Sequence, residues 1–305
     1  MNRTERLKER LDALGCACLC EEPMSRHTSF QIGGPAELFV SPSDREQTAA
    51  VLAACREQEI PFFLMGNGSN LLVADEGVRG AVIAFGAPMS RIVRQGDALL
   101  AQAGATLSQL CRFARQEGLS GLEFAWGIPG SVGGAVRMNA GAYGGETKDV
   151  VTRVEALSPE GEPFETDAAG ARFGYRTSRF AGGEIVCSAV FSLSSGNPEE
   201  IDAKMAETLR KRVEKQPLDY PSAGSAFKRP KEGYAAALID SCGLKGFSVG
   251  GARVSEKHAG FVINTGGATC RDVRDLLERV QAEVFRQTGI LLEPEVQLLG
   301  SRPEP

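Results

Sequence analysis

The sequence predicts an α+β protein in two parts: a larger N-terminal α/β region and a smaller C-terminal α+β domain, with the boundary near residues 195–200. Three observations carry this. The chain has 305 residues, enough for two cores of ordinary size. Up to about residue 193, short apolar runs alternate with amphipathic helical patterns. At Asn197-Pro198 that rhythm gives way to one long charged helix, and helices and single strands alternate beyond it.

Taken in order, "RTERLKERLDAL" places Leu7, Leu11 and Leu14 on one face of an opening helix. "AELFVS" reads as a strand. Ser43 and Glu46 form a capping-box pattern ahead of the helix "TAAVLAAC". Strand-like runs follow at 62–65, 70–73, 81–85 and 98–103. Thr106 can cap a helix that Gly118 ends, and 150–157 and 184–193 read as strands. Pro198 opens the long helix and Pro217 ends it. The remainder predicts a helix near 233–242, a strand at 260–264, a helix over 269–288 and a final strand in "ILLEPEVQLL". In the 269–288 helix, Thr269 and Asp272 cap the start, Gly289 ends it, and Val273, Leu276, Leu277, Val280 and Val284 form the buried face.

Composition narrows the function classes. With 42% hydrophobic and 24% charged residues, the chain reads as an ordinary soluble protein. A formal charge of −5 argues against nucleic acid as the main partner. "MNRTERLKERLDALG" lacks the apolar core of a signal peptide, and no apolar run is long enough to span a bilayer, so a cytoplasmic enzyme is expected. The eight cysteines, three of them in "CACLC", lack the second pair of a zinc site and read as reduced and structural. His27 and His258 are the only histidines, which leaves little material for a serine–histidine triad or a histidine-based metal site; no metal is expected.

Two glycine-rich segments stand out. "MGNGSNLL" follows an apolar run and can turn several backbone N–H groups toward one anion, typically a phosphate. It is not the dinucleotide fingerprint, since Leu71 occupies the third glycine's place; a plain hairpin or turn is the alternative. "GIPGSVGGAVRMNAGAYGG" (127–145) sustains glycine far beyond what one turn needs, which suits close approach to a flat or charged ligand. Together the two segments favour a pyrophosphate-bearing cofactor over a bland loop. Three further residues are candidates for chemistry. Arg176 lies among aromatics in "FGYRTSRF", suited to gripping a carboxylate or to a structural ion pair. Ser225 lies in "YPSAGSAFKRP", where Lys228 and Arg229 could sharpen its hydroxyl as a proton donor, or it is simply a loop residue. Glu295 sits in the apolar "LLEPEVQLL", either as a functional carboxylate or on an exposed strand edge.

With these segments in order, the chain resembles the flavin-dependent UDP-N-acetylenolpyruvoylglucosamine reductases of peptidoglycan synthesis, from about residue 23 to 300. The markers are "TSFQIGGPAELFV", "GNGSNLLV", "GLEFAWGIPGSVGGAVRMNAGAYGGE", "FGYRTSRF", "PLDYPSAGSAFKRP", "HAGFVIN" and "GILLEPEVQLLG". The resemblance is to the branch without an extra substrate-capping insertion. It implies an FAD-binding domain of the vanillyl-alcohol-oxidase type over 23–197, in two α/β subdomains split near 86–90. Residues 1–22 form a helix and lead-in, and 198–305 a substrate-binding domain. The cofactor contacts implied are Gly66, Asn67, Gly68, Ser69, Asn70 and Leu71 at the pyrophosphate, with Gly127, Ile128, Pro129, Ser131, Gly133, Gly134, Asn139, Gly141 and Ala142 lining the rest of the FAD.

The same resemblance implies that NADPH reduces the FAD and leaves, and that UDP-N-acetylglucosamine enolpyruvate then takes its place. Hydride from flavin N5 adds to the terminal enolpyruvyl carbon, and Ser225 gives a proton to the adjacent one. Arg176, with Glu295 hydrogen-bonded nearby, would stabilise the charge that develops between the two steps. Lys215, Tyr220, Lys228 and His258 would hold the UDP diphosphate and sugar. No nucleic acid, membrane insertion or obligatory protein partner is implied. His27, Arg137 and Arg229 depart from the family's commonest pattern without removing a catalytic group. Two other readings are an FAD oxidase or dehydrogenase of the same fold, and a non-catalytic nucleotide-sugar-binding protein.

Overall fold

The computed structural model describes residues 3–300, so residues 1–2 and 301–305 of the ranges expected above lie outside the described residues. Seven α-helices occur among them: α1 (Arg3–Ala13), α2 (Arg45–Glu57), α3 (Leu107–Gln116), α4 (Val132–Met138), α5 (Pro198–Lys215), α6 (Ala235–Ser241) and α7 (Cys270–Thr288). Internal contacts divide the chain into two units. One holds the segment ending at Cys20, Leu38–Asn67 and Gly80–Lys211; the other holds Glu21–Glu37, Gly68–Arg79 and the segment from Arg212 onward.

The first unit contains a five-stranded antiparallel sheet in the order Pro163–Asp167, Val151–Leu157, Ile185–Ser192, Ala98–Gln102, Ile92–Gln95. The central strand Ile185–Ser192 is buried over seven consecutive residues, as expected where both faces are covered. Helix α3 begins with the expected cap: Thr106 Oγ1 accepts the Gln109 N–H, and Gln109 Oε1 accepts the Thr106 N–H. A second sheet, of four strands, runs Ala17–Pro23, Pro35–Ser41, Val78–Ala84, Phe62–Met65. Its last pair is parallel, Phe62 opposite Ala81 through Met65 opposite Ala84, and the GNGSN loop leaves the end of that pair.

The second unit has its own core, in which Val273, Leu276, Val280 and Val284 of α7 pack with Phe30, Leu72, Phe227 and Leu292. Its sheet runs Ser222–Ser225, Phe261–Asn264, Ala252–Val254, Ser248–Val249, and Leu71–Val73 pairs in parallel with Gln297–Leu299. That last pairing, closing more than two hundred residues of chain, makes 68–79 part of this unit. The contacts therefore do not follow a single linear boundary at 197/198: 21–37 and 68–79 join the later residues.

Local expectations differ from the structure at four places. Asp44, not Ser43, caps α2, its carboxylate accepting the Gln47 N–H at 2.6 Å. Leu14 falls beyond the end of α1 and is exposed. "ILLEPEVQLL" forms a strand only at Gln297–Leu299, because Pro294 interrupts the run and Leu291 points to solvent. The glycine-dense stretch contains α4, capped at its start by Ser131 and closed by Asn139 in the left-handed conformation at φ 43°. Glycine is a poor helix former, so composition hides that helix.

Candidate functional site

Within the first unit, Gly66 and Asn67 meet the second glycine segment. Gly66 follows directly on the parallel pair, and a Cβ there would lie 2.0 Å from Ser131 Oγ, so only glycine allows the approach. Next to it, Asn67 Nδ2 donates to the Pro129 carbonyl at 2.7 Å. Ser131 is buried and bridges Thr106, while the Gly133 N–H donates to the Ala103 carbonyl at 2.9 Å. Much of the glycine in 127–145 has a packing cause. A Cβ at Gly133 would meet Ala103, at Gly141 the backbone of Gly145, and at Gly145 the ring of Phe124. Gly127 and Gly144 sit at positive φ, 80° and 89°, where side chains are strained. Ile128 donates its N–H to the Ala125 carbonyl, the Gly134 N–H goes to Ser131 Oγ, and Ala142 pairs with Gly145 in a small hairpin.

Among the described residues, none accepts the N–H groups of Gly66, Asn67, Gly68, Ser69 or Asn70. Such consecutive unpaired donors call for an acceptor, and Gly68 is itself buried. A diphosphate, with several oxygens and no donors of its own, fits that demand. The residues present therefore suit the pyrophosphate of FAD.

Arg176 lies on a loop of the same unit, itself at φ 54°, with Nη2 donating to the Gly141 carbonyl at 3.2 Å and Cζ 5.4 Å from the Tyr175 ring centre. The loop is fixed by Asn139. Its Nδ2 donates both to the Gly174 carbonyl and to Glu146 Oε2, each at 3.0 Å, and its Oδ1 accepts the Lys148 N–H. Asn139 is 1% exposed, and its side-chain oxygen and nitrogen both bond to protein groups. Glu146 ionises below its ordinary range, chiefly through the hydrogen bond to Lys148, with Arg176 adding to the effect. Arg137 is partly buried on α4, and that burial lowers its pKa. Sequence reasoning missed Asn139 and Glu146 as the frame of the Arg176 loop. The usable signal was an asparagine just past a helix end, where αL residues concentrate.

The second unit brings Ser225 and Glu295 onto neighbouring segments. Ser225 is exposed at the end of its strand, opposite Phe261, and Gly224 before it takes φ 77° at an irregularity in the register. Phe227 bridges Pro294, and the Glu295 N–H donates to the Ala226 carbonyl at 2.9 Å. Lys228 and Arg229 are engaged elsewhere than expected. Lys228 Nζ pairs with Glu293, and the Arg229 guanidinium stacks 4.1 Å from the Tyr234 ring centre. Neither is seen to polarise Ser225. His258 lies edge-on to Phe261 at 5.1 Å, and burial lowers its pKa. Its Nδ1 accepts the Gly260 N–H at 3.2 Å, which places the proton of the neutral ring on Nε2. Lys215 ends α5 and Tyr220 follows it, both exposed. Arg176 belongs to the first unit; Ser225, Glu295 and the four expected substrate-binding residues belong to the second.

Comparison with known proteins bears directly on this arrangement. Residues 36–167 match the family model described as FAD binding domain, and 216–299 the one described as UDP-N-acetylenolpyruvoylglucosamine reductase, C-terminal domain. A UDP-N-acetylenolpyruvoylglucosamine reductase of Caldanaerobacter subterraneus is 49% identical over 282 residues, covering 92% of this chain and 93% of the relative. The chain belongs to the UDP-N-acetylenolpyruvoylglucosamine reductase family. A reductase of that name from Clostridium botulinum is 47% identical over 283 residues, 92% of either chain. The crystal structure of the reductase from Thermus caldophilus superposes with a TM-score of 0.81 at 38% identity, covering 93% of this chain and 98% of that one.

The glucooligosaccharide oxidase from Acremonium strictum, which carries a 6-S-cysteinyl, 8α-N1-histidyl FAD, shares the fold at 14% identity with a TM-score of 0.50, over 91% of this chain and 58% of its own. The fold is thus the FAD-binding type of the vanillyl-alcohol oxidases joined to the reductase family's C-terminal domain. The FAD-binding match contains every expected cofactor residue, and the C-terminal match contains Tyr220, Ser225, Lys228, His258 and Glu295. Arg176 and Lys215 lie outside both. No helix among the described residues is long and apolar enough to cross a membrane.

Proposed function

We propose that the protein reduces UDP-N-acetylglucosamine enolpyruvate to UDP-N-acetylmuramate with NADPH as reductant and FAD as bound cofactor, in the synthesis of peptidoglycan precursors. The observation that carries this is the 49% identity to a reductase of that name along nearly the whole chain. The unpaired N–H groups of residues 66–70 support the cofactor assignment independently. In this reading the stretch matching the FAD binding domain holds the cofactor, and the later residues hold the nucleotide sugar. Gly66–Leu71 receive the diphosphate, and the residues proposed from Gly127 to Ala142 form the bed beside it. FAD supplies the hydride that reaches the terminal enolpyruvyl carbon.

The chain's own residues do the rest. Arg176, with a planar fork of donors, grips the substrate carboxylate as charge from the adjacent carbon spreads into it. A preorganised donor aimed at developing charge contributes about 3–4 kcal/mol in comparable sites. Glu295 supports that state, and the Ser225 hydroxyl hands its proton to the adjacent carbon and regains one from water. Lys215, Tyr220, Lys228 and His258 hold the nucleotide sugar, Lys228 by exchanging its Glu293 partner for phosphate. A cytoplasmic setting belongs to the same proposal, with no nucleic acid, membrane or obligatory protein partner. NADPH oxidation should require the enolpyruvyl nucleotide sugar, and mass spectrometry should find the product two hydrogens heavier. Unchanged substrate mass, or NADPH consumption indifferent to the substrate, would sink the proposal.

A further inference from the structure

Asn70 closes the GNGSN loop and opens the strand Leu71–Val73 of the second unit. That strand pairs in parallel with Gln297–Leu299, Leu71 standing opposite Gln297, so Asn70 lies beside the segment that carries Glu295. The Asn70 carbonyl accepts the Gln297 N–H at 2.9 Å, and Asn70 Nδ2 donates to the Glu295 carbonyl at 3.1 Å. On its other side the Glu295 N–H donates to the Ala226 carbonyl, one residue after Ser225. The peptide groups flanking the Glu295 Cα are therefore each tied, one by the Ser225 segment and one by the Asn70 side chain. Residues 290–296 form no regular strand, and Leu291 and Glu293 face solvent, so these two ties help hold the backbone that carries the carboxylate.

We propose that Asn70 is a positioning residue for Glu295, so that the loop cradling the cofactor diphosphate also sets the carboxylate of the reducing site. The inference rests on the reading of Glu295 as a residue of the reaction. Of these two ties, the side-chain amide is the one that a substitution removes without altering a backbone group. In Asn70→Asp an acceptor replaces the donor and faces the Glu295 carbonyl, while size and loop shape are retained.

The test is a double-mutant cycle on the holoenzyme, pairing Asn70→Asp with Glu295→Gln. Flavin content is measured by absorbance, and the rate constant is that of substrate-driven flavin reoxidation. Asn70→Asp alone is expected to slow reoxidation by about 10²-fold, the scale of an ångström-level misplacement. In the Glu295→Gln background the same change should cost at most about twofold more, because residues acting through one another are not additive. Asn70→Ala, run through the same cycle, covers the case in which the aspartate fails to fold. Equal losses in both backgrounds, or no loss from either Asn70 variant, would overturn the inference while leaving Glu295 in place. If Glu295→Gln alone reoxidises at the wild-type rate, the reading of Glu295 itself falls, and the inference with it.

Discussion

In the Ser225→Ala protein, NADPH should still bleach the flavin, while reoxidation by the enolpyruvyl substrate falls by at least about 10²-fold, the usual yield of a positioned acid. The asymmetry follows from the task proposed. The Ser225 hydroxyl is needed only when the second carbon takes its proton, after the reductant has left. The structure makes the substitution mild for folding, since Ser225 is exposed, ends its strand and hydrogen-bonds to no other residue through its side chain among those described. Lys228 and Arg229 are occupied by Glu293 and Tyr234, so neither stands ready as a substitute acid. Rapid-mixing absorbance with each half of the cycle run separately checks this. Equal slowing of both halves would point to a distorted fold, and unchanged reoxidation would remove Ser225 from the proton-donor role.

The second large effect is expected at Arg176. Arg176→Ala should lower the reoxidation rate constant by about 10²–10³-fold, the cost of losing one preorganised donor to developing charge. Arg176→Lys should recover only part of it, because a point charge lacks the planar fork. The loop should survive either change, since Asn139 pins it at Gly174 rather than at Arg176. The decisive split is between kcat and KM. An interaction made with the charge-bearing state lowers kcat, whereas one made equally with the bound substrate raises KM and leaves kcat alone. A pure KM effect would recast Arg176 as a binding residue.

Legibility in the sequence followed the range of the interactions. The Thr106 and Thr269 caps, the Gly289 stop and the buried face of α7 are written within a few residues of one another, and each reads correctly. The pairing of Leu71–Val73 with Gln297–Leu299 has no local signature, so the interleaving of the two units could not be read from pattern. Glycines carry a second cause that composition does not show. At 133, 141 and 145 protein groups fill the space where a Cβ atom would stand, so packing alone already requires glycine there. Asn70 and Asn139 are expected as cofactor contacts, and nothing local announces the bonds their amides make to the Glu295 and Gly174 carbonyls. The chemistry proposed for Arg176, Ser225 and Glu295 rests on the order of whole motifs, since each residue alone has an ordinary structural explanation.

The measurement closest to the central claim is the visible spectrum of the purified protein through one cycle without oxygen. It should be yellow, lose its colour with NADPH, and regain it when UDP-N-acetylglucosamine enolpyruvate is added. A colourless protein that takes up no FAD, or colour that returns with oxygen but not with the nucleotide sugar, would contradict the account.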